Sequence, residues 1–318
     1  MHPFDPFFKN PHLATLAGNF WKRPQSELRW PVEPVLYQTE PGVQVLVHAQ
    51  AAESPKGEVI LIHGLEGSSD SGYARSMAHA TLERGWTTHR FNMRGCGGTE
   101  ALSLMSYHAG QTSDLLHVVQ ERHRLSGLPV FIVGYSLGAN VTLKLAGELS
   151  EQARGLIAGV VSVSSPIDLG ICATAIGEPR NFLYQNRFVG RLKERIRKKN
   201  QLSPEVYTLE HLPKVKSIVD FDDYYTSQLF GFGSAANYFR TQSSNQFLEH
   251  IRVPALVLTA KDDPLVPFQI YDHPALRQNP AIAFAPVEHG GHLGFIARSG
   301  PRFWLDQVVL DWMEQQAR

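Results

Sequence analysis

The sequence predicts an α/β fold: a mostly parallel, twisted sheet with helices on both faces and an inserted helical cap. Three observations predict it. Short β-like runs alternate with longer helical patterns. Several of those runs are almost wholly apolar, as strands buried on both faces are. The alternation lapses between about residues 167 and 251 and then resumes. The chain therefore divides into an N-terminal arm over 1–34, a core over 35–166 and 252–318, and a helical cap insertion over 167–251.

The core begins with VLYQTE and VQVLVHAQ, which flank Pro41-Gly42 and read as a hairpin. EVILIHG is a nearly continuous apolar run ending in glycine, the pattern of a buried strand. SGYARSMAHATLERG is helical and stops at Gly85, and WTTHRFNMRG is the next strand. QTSDLLHVVQERHRLSG carries Leu115, Leu116, Val118, Val119 and Leu125 at helical spacing and stops at Gly127. The strand VFIVG, the helix ANVTLKLAGELS and the strand GLIAGVVSVS follow. After the cap, PALVLTA and AIAFAPVE read as strands around a short helix in PFQIYDHPAL, and GPRFWLDQVVLDWMEQQ is a final amphipathic helix.

Composition narrows the function classes. The 318 residues are 43% hydrophobic and 19% charged, ordinary for a globular protein with a sizeable core. Thirty basic and thirty acidic residues cancel, so no global field draws nucleic acid. Two cysteines, Cys96 and Cys172, are too few for a disulfide framework and read as reduced thiols, which predicts a cytoplasmic setting. No run reaches the roughly 18–20 apolar residues of a membrane span, and the N-terminus lacks the pattern of a secretory leader. Its prolines and aromatics read as an arm packed over the domain, with contact to a membrane surface as the alternative.

Four loops, each following a predicted strand, carry the candidate chemistry. Gly134-Tyr135-Ser136-Leu137-Gly138 lies between a strand and a helix, the context of a nucleophile elbow, in which the flanking glycines make room for a strained serine. The competing reading is a turn whose serine only caps the helix. In HGLEGSS, from His63 to Ser69, glycine lets backbone approach a ligand. The amide of Leu65, with that of Leu137, would then form a two-donor oxyanion hole. His63 reads as structural. In AKDDPLVP, Asp262 and Asp263 compete to orient a base, and Asp263, directly before Pro-x-Val-Pro, is the better placed. In EHGGHLGF, His292 is bracketed by glycines and is the stronger candidate base, with His289 the weaker. Two glycines separate them and no third ligand is evident, so metal binding is not expected. Ser, Asp and His in that order, each at the carboxyl end of a strand, match the α/β-hydrolase arrangement, and no cofactor is called for.

Further features carry blander readings. Cys96 in NMRGCGGTE has no visible partner base and reads as a buried or loop cysteine, and Arg94 reads as half of an internal ion pair. The basic run RLKERIRKKN reads as a solvated helix face, against the alternative of an anionic membrane surface. Phe182, Tyr184, Phe221, Tyr224, Tyr225, Phe230 and Phe232 offer material for an acyl pocket or for packing the cap.

With NPHLATL, HGLEG, NMRGCGGTE, the elbow, DDPLVP and GGHLGF together, the sequence resembles the YheT-like branch of the α/β-hydrolase superfamily over nearly its whole length. The resemblance implies a hydrolase acting on esters, with Ser136, Asp263 and His292 as its triad. The partner expected is a small-molecule ester or lipid substrate, but the phospholipid and acylglycerol substrates of membrane-anchored relatives do not carry over. An acyltransferase using the same residues and a slow-turnover ligand sensor are the alternatives. Acyl chain length, leaving group and oligomeric state are not encoded legibly.

Overall fold

The computed structural model describes residues 3–24, 27 and 29–317. Eight strands form one sheet: β1 (Glu33–Glu40), β2 (Val43–Gln50), β3 (Gly57–Ile62), β4 (Trp86–Phe91), β5 (Val130–Tyr135), β6 (Gly159–Val163), β7 (Ala255–Ala260) and β8 (Ile282–Val287). Their spatial order is β1-β2-β4-β3-β5-β6-β7-β8. The β1–β2 hairpin and the β2–β4 pair are antiparallel, and every later pair is parallel. The fold class read from the sequence is the fold observed.

Strand composition follows from position in the sheet. β3, β4, β5, β6 and β7 are buried along their whole length, whereas the edge strands β1 and β8 are partly exposed. Successive side chains point to opposite faces, so each apolar central strand feeds two cores. Ile60, Ile62, Ile132 and Val160 join one core, with Val118 and Val141 from the helices of that face. Val59, Leu61, Val133 and Val161 join the other, with Met77, Val309 and Met313.

Among the described residues, four α-helices precede β6. α1 (Pro11–Phe20) begins with the Asn10 side chain accepting from the amides of His12 and Leu13 at 3.0 Å each, with proline at its first position. α2 (Gly72–Glu83) meets the Gly64 loop through Tyr73, whose hydroxyl accepts from the Gly64 amide at 2.9 Å, and α3 (Ser113–Ser126) ends at Gly127, whose φ of 65° suits glycine. α4 (Leu137–Leu149) starts at the residue after Ser136.

Between β6 and β7 the chain is helical. α5 (Leu169–Ile176) and the long α6 (Phe182–Leu202) are followed by short helices around a π-helical turn at Asp222–Thr226, then by the helix Ala235–Gln242. Leu169, Phe188, Leu192 and Phe239 of these elements share a cavity with Ser136 and His292, so part of this helical segment faces the loops at the carboxyl ends of β5 and β8. Among the described residues, no helix is long and apolar enough to cross a membrane.

The N-terminal arm contains a helix whose presence the sequence reading did not specify: after Asn10, PHLATL opens α1. Two details depart from the sequence reading. The single short helix expected in PFQIYDHPAL is two pieces, a 3-10 turn at Phe268–Tyr271 and a four-residue α-helix at Ala275–Gln278, interrupted before Pro274, which has no N–H to donate. The basic run is not simply a solvated face, because Arg195 and Lys199 turn inward and are buried.

Candidate active site

The parallel register aligns the carboxyl ends of β3, β5, β6, β7 and β8 on one rim, and the four loops named from the sequence leave the sheet there. Ser136 sits in the turn from β5 into α4 with φ 53° and ψ −119°, a backbone conformation that L residues avoid at a cost of about 1–3 kcal/mol. Close packing enforces it. A Cβ on Gly134 would lie 2.4 Å from the carbonyl oxygen of Gly138, and one on Gly138 would lie 2.5 Å from the carbonyl oxygens of both Ile62 and His63. The Ser136 side chain makes no capping bond to α4, so the helix-cap alternative does not describe it.

Its hydroxyl faces His292 instead, with Oγ 2.9 Å from Nε2. His292 Nδ1 lies 2.8 Å from Asp263 Oδ2, and Asp263 is fixed by the amides of Leu265 and Val266 donating to Oδ1 at 2.9 and 3.1 Å. The carboxylate settles the tautomer: Nδ1–H donates to Asp263, leaving Nε2 to accept from Ser136. The rival pair lies alongside. Asp262 accepts from the Gly291 amide at 2.9 Å and lies 3.1 Å from His289 Nδ1, which braces the histidine loop.

The loop after β3 turns tightly from Gly64 to Gly67, closed by a 3.0 Å bond from the Gly67 amide to the Gly64 carbonyl. A Cβ on Gly64 would stand 3.0 Å from Ser136 Cβ, so this glycine brings the loop against the serine. The Leu137 amide opens α4, where no intrahelical acceptor exists. Among the described residues, neither that amide nor Leu65's donates to a backbone carbonyl outside the regular elements. His63 is structural: Nδ1 donates to the Gly64 carbonyl at 2.8 Å and Nε2 accepts from the Met93 amide at 3.2 Å. Burial pushes its pKa down to about 4, so the ring is neutral.

Two spaces meet at Ser136 and His292. An open cleft of ≈ 770 Å³ runs between α1, α6 and the Gly64–Ser71 loop. A narrow cavity of ≈ 80 Å³ leads beneath the cap, with walls from Leu169, Ala173, Phe188, Leu192, Phe239 and Leu265 and polar residues Arg195 and Asp222. Of the seven aromatics named from the sequence, only Phe221 lines the cavity and only Tyr184 lines the cleft. Phe182 is exposed, Tyr224 and Tyr225 stack on His211 and Phe221 within the helical segment, and Phe230 and Phe232 pack against His108 of the core. Burial pushes the Asp222 pKa up to about 7.

The blander readings also find their places. Arg94 pairs with Asp114 at 2.5 Å and Glu40 at 2.7 Å. Cys96 is buried, and desolvation pushes its thiol pKa up, so it is not a reactive thiolate.

Sequence reasoning missed the groups that support these loops. Thr15 on α1 accepts the His292 backbone N–H at 2.8 Å. Ala14 and Gly18 let the helix approach so closely that a Cβ on Gly294 would lie 2.5 Å from the Ala14 carbonyl oxygen. The small residues Ala14 and Gly18, four apart after an Asn-Pro helix start, are the signal that could have revealed this face.

Fold and rim together define an α/β hydrolase, and residues 58–298 match the sequence profile described as alpha/beta hydrolase fold. The chain belongs to that family. Its relatives include "Putative esterase YheT" of Escherichia coli (strain K12), 33% identical over 83% of this chain and 78% of that protein. "Phospholipase ABHD3" of Mus musculus is 29% identical over 82% of this chain and 64% of its own length. Among solved structures, the Pyrococcus furiosus esterase Pf2001 superposes with a TM-score of 0.61 at 17% identity, covering 92% of this chain and 97% of that one. The last likeness concerns the fold alone.

Proposed function

We propose that the protein is a serine hydrolase that cleaves carboxylic esters through an acyl-enzyme, with Ser136 as nucleophile, His292 as base and Asp263 as its orienting partner. The observation that carries this reading is the line Ser136–His292–Asp263, with contacts of 2.9 and 2.8 Å, at the junction of cleft and cavity.

Ser136 Oγ attacks the ester carbonyl while His292 Nε2 takes its proton. The resulting imidazolium is stabilised by Asp263, and the oxyanion is held by the Leu65 and Leu137 amides, each contributing about 2.7–4 kcal/mol in comparable sites. Collapse expels the alcohol, which leaves with the proton from Nε2. Water then attacks the acyl-enzyme, giving one proton to His292, and the second collapse returns that proton to Ser136 as the carboxylic acid departs. No step requires a cofactor.

The narrow apolar cavity suits a small or medium acyl chain, and the open cleft suits the alcohol portion. The names of the relatives, an esterase and a phospholipase, support ester chemistry. The test is hydrolysis of p-nitrophenyl esters of graded chain length by wild type and Ser136→Ala. The reading expects turnover that favours short to medium chains and disappears in the variant without loss of fold. Undiminished turnover in Ser136→Ala would overturn it.

A further inference from the structure

Glu66 is an unexpected occupant of its position. It follows Leu65 in the turn closed from Gly67 to Gly64 and has φ 54°, the left-handed region where such turns ordinarily place glycine or asparagine. Its side chain is also buried, 8% exposed, against the equally buried Arg195 of α6, with Arg195 Nη1 2.6 Å from Glu66 Oε1. A glycine here would relieve the backbone, and an apolar residue at 195 would spare α6 a buried charge. The chain does neither, and both costs fall on the residue next to the Leu65 amide.

The partners grip Glu66 at three points. Its amide donates to the Tyr107 hydroxyl at 3.0 Å, and the same hydroxyl donates back to Oε1 at 2.9 Å. Its carbonyl accepts from Arg191 Nη1 at 3.0 Å. Arg191 and Arg195 are four residues apart, one helical turn, so a single face of α6 holds the carbonyl and the carboxylate of one residue. The Arg195 guanidinium also lies over the Tyr107 ring, 4.6 Å from its centroid. Phe188 and Leu192, on the preceding turns of α6, line the narrow cavity.

We infer that Arg195, Glu66 and Tyr107 form a positioning clamp that fixes the Leu65 amide in its oxyanion-binding orientation and ties it to the cap helix. This inference rests on the proposed reaction at Ser136. The three residues act through Leu65 rather than on the reacting atoms. Preorganised donors favour the transition state over bound substrate, so loosening the clamp lowers kcat more than it raises KM.

The experiment compares wild type, Tyr107→Phe and Glu66→Gln on a p-nitrophenyl ester, with circular dichroism confirming the fold. Inhibition by an alkyl trifluoromethyl ketone, which forms an oxyanion with the active serine, is measured beside it. Tyr107→Phe keeps the ring and removes only the hydroxyl. It should lower kcat by about 10- to 100-fold, leave KM within about twofold, and weaken the ketone in parallel with kcat/KM. Glu66→Gln keeps the side chain's length and weakens the tie to Arg195, and should show a smaller loss of the same kind. Unchanged kcat and ketone affinity in folded Tyr107→Phe, with only a lowered Tm, would make the network a structural tie and overturn the inference. Should Tyr107→Phe not fold, unchanged kcat and ketone affinity in Glu66→Gln would do the same. Failure of wild type itself to turn over esters or bind the ketone would instead refute the reading of Ser136.

Discussion

Removing the Thr15 hydroxyl should slow the chemistry without touching any residue of the proposed reaction. That hydroxyl donates to the Pro11 carbonyl at 2.7 Å and accepts the His292 backbone N–H at 2.8 Å, so it joins the first turn of α1 to the loop that carries the imidazole. In Thr15→Ala the His292 amide, buried beneath α1, loses its acceptor. An unsatisfied buried N–H costs about 1–3 kcal/mol. At about 2 °C per kcal/mol for a large domain, Tm should fall by roughly 2–6 °C. If the loop shifts to find water, His292 Nε2 moves off Ser136 Oγ, and a displacement of order 1 Å costs about 10²-fold in rate. Thr15→Ser is the control, because it keeps the hydroxyl and differs from Thr15→Ala by that group alone. The assay is thermal unfolding with ester turnover below the transition. Serine at 15 should retain activity near wild type while alanine loses at least tenfold. Equal activity and equal Tm in the two variants would refute the argument that α1 positions the histidine.

Two further outcomes follow from packing and from burial. Gly138→Ala should destabilise the protein by at least about 1–3 kcal/mol in urea unfolding, because the new methyl would meet two backbone carbonyl oxygens that no side-chain rotation can relieve; a variant as stable as wild type would contradict the tight elbow. His63 holds its pKa near 4 against an ordinary value of 6.5, so between these values the unfolded chain binds a proton that the native ring refuses, and stability falls as pH falls through that window. The contribution is at most about 1.4 kcal/mol per pH unit, and His63→Gln should flatten the slope of unfolding free energy between pH 6.5 and 4 by up to that amount; an unchanged slope would show that His63 protonates in the native state.

The strands and most core helices are legible in the sequence because burial on both faces of a parallel sheet demands long apolar runs, and glycine marks their ends. The loops bearing Ser136, Asp263 and His292 are legible for a related reason: each follows such a run, and the fold brings the three side chains into one hydrogen-bonded line. What supports them is not legible. Arg195 sits in a string of basic residues that reads as solvated, and only the tertiary pairing with Glu66, 129 positions earlier, takes it inside. Glu66 itself breaks the local rule for a left-handed turn residue, so turn chemistry points away from it. Most of the cap aromatics do what the sequence favours, packing the helical segment on the core, as Phe230 and Phe232 do against His108. Which rings reach the cavity is not legible, because aromatic content does not say which ring faces inward, and Phe188, Tyr238 and Phe239 reach it unannounced. α1 is not legible as a helix because its large apolar residues do not form a buried stripe: Leu13, Leu16 and Phe20 are exposed, and only the small Ala14, Thr15 and Gly18 are buried.

The central claim is that Ser136 is an activated nucleophile served by His292. Intact mass after exposure to a fluorophosphonate tests it most directly, on wild type, Ser136→Ala and His292→Ala. A single adduct on wild type, none on Ser136→Ala and a greatly slowed one on His292→Ala is the predicted result. An adduct that persists in Ser136→Ala, or none on well-folded wild type, would contradict it.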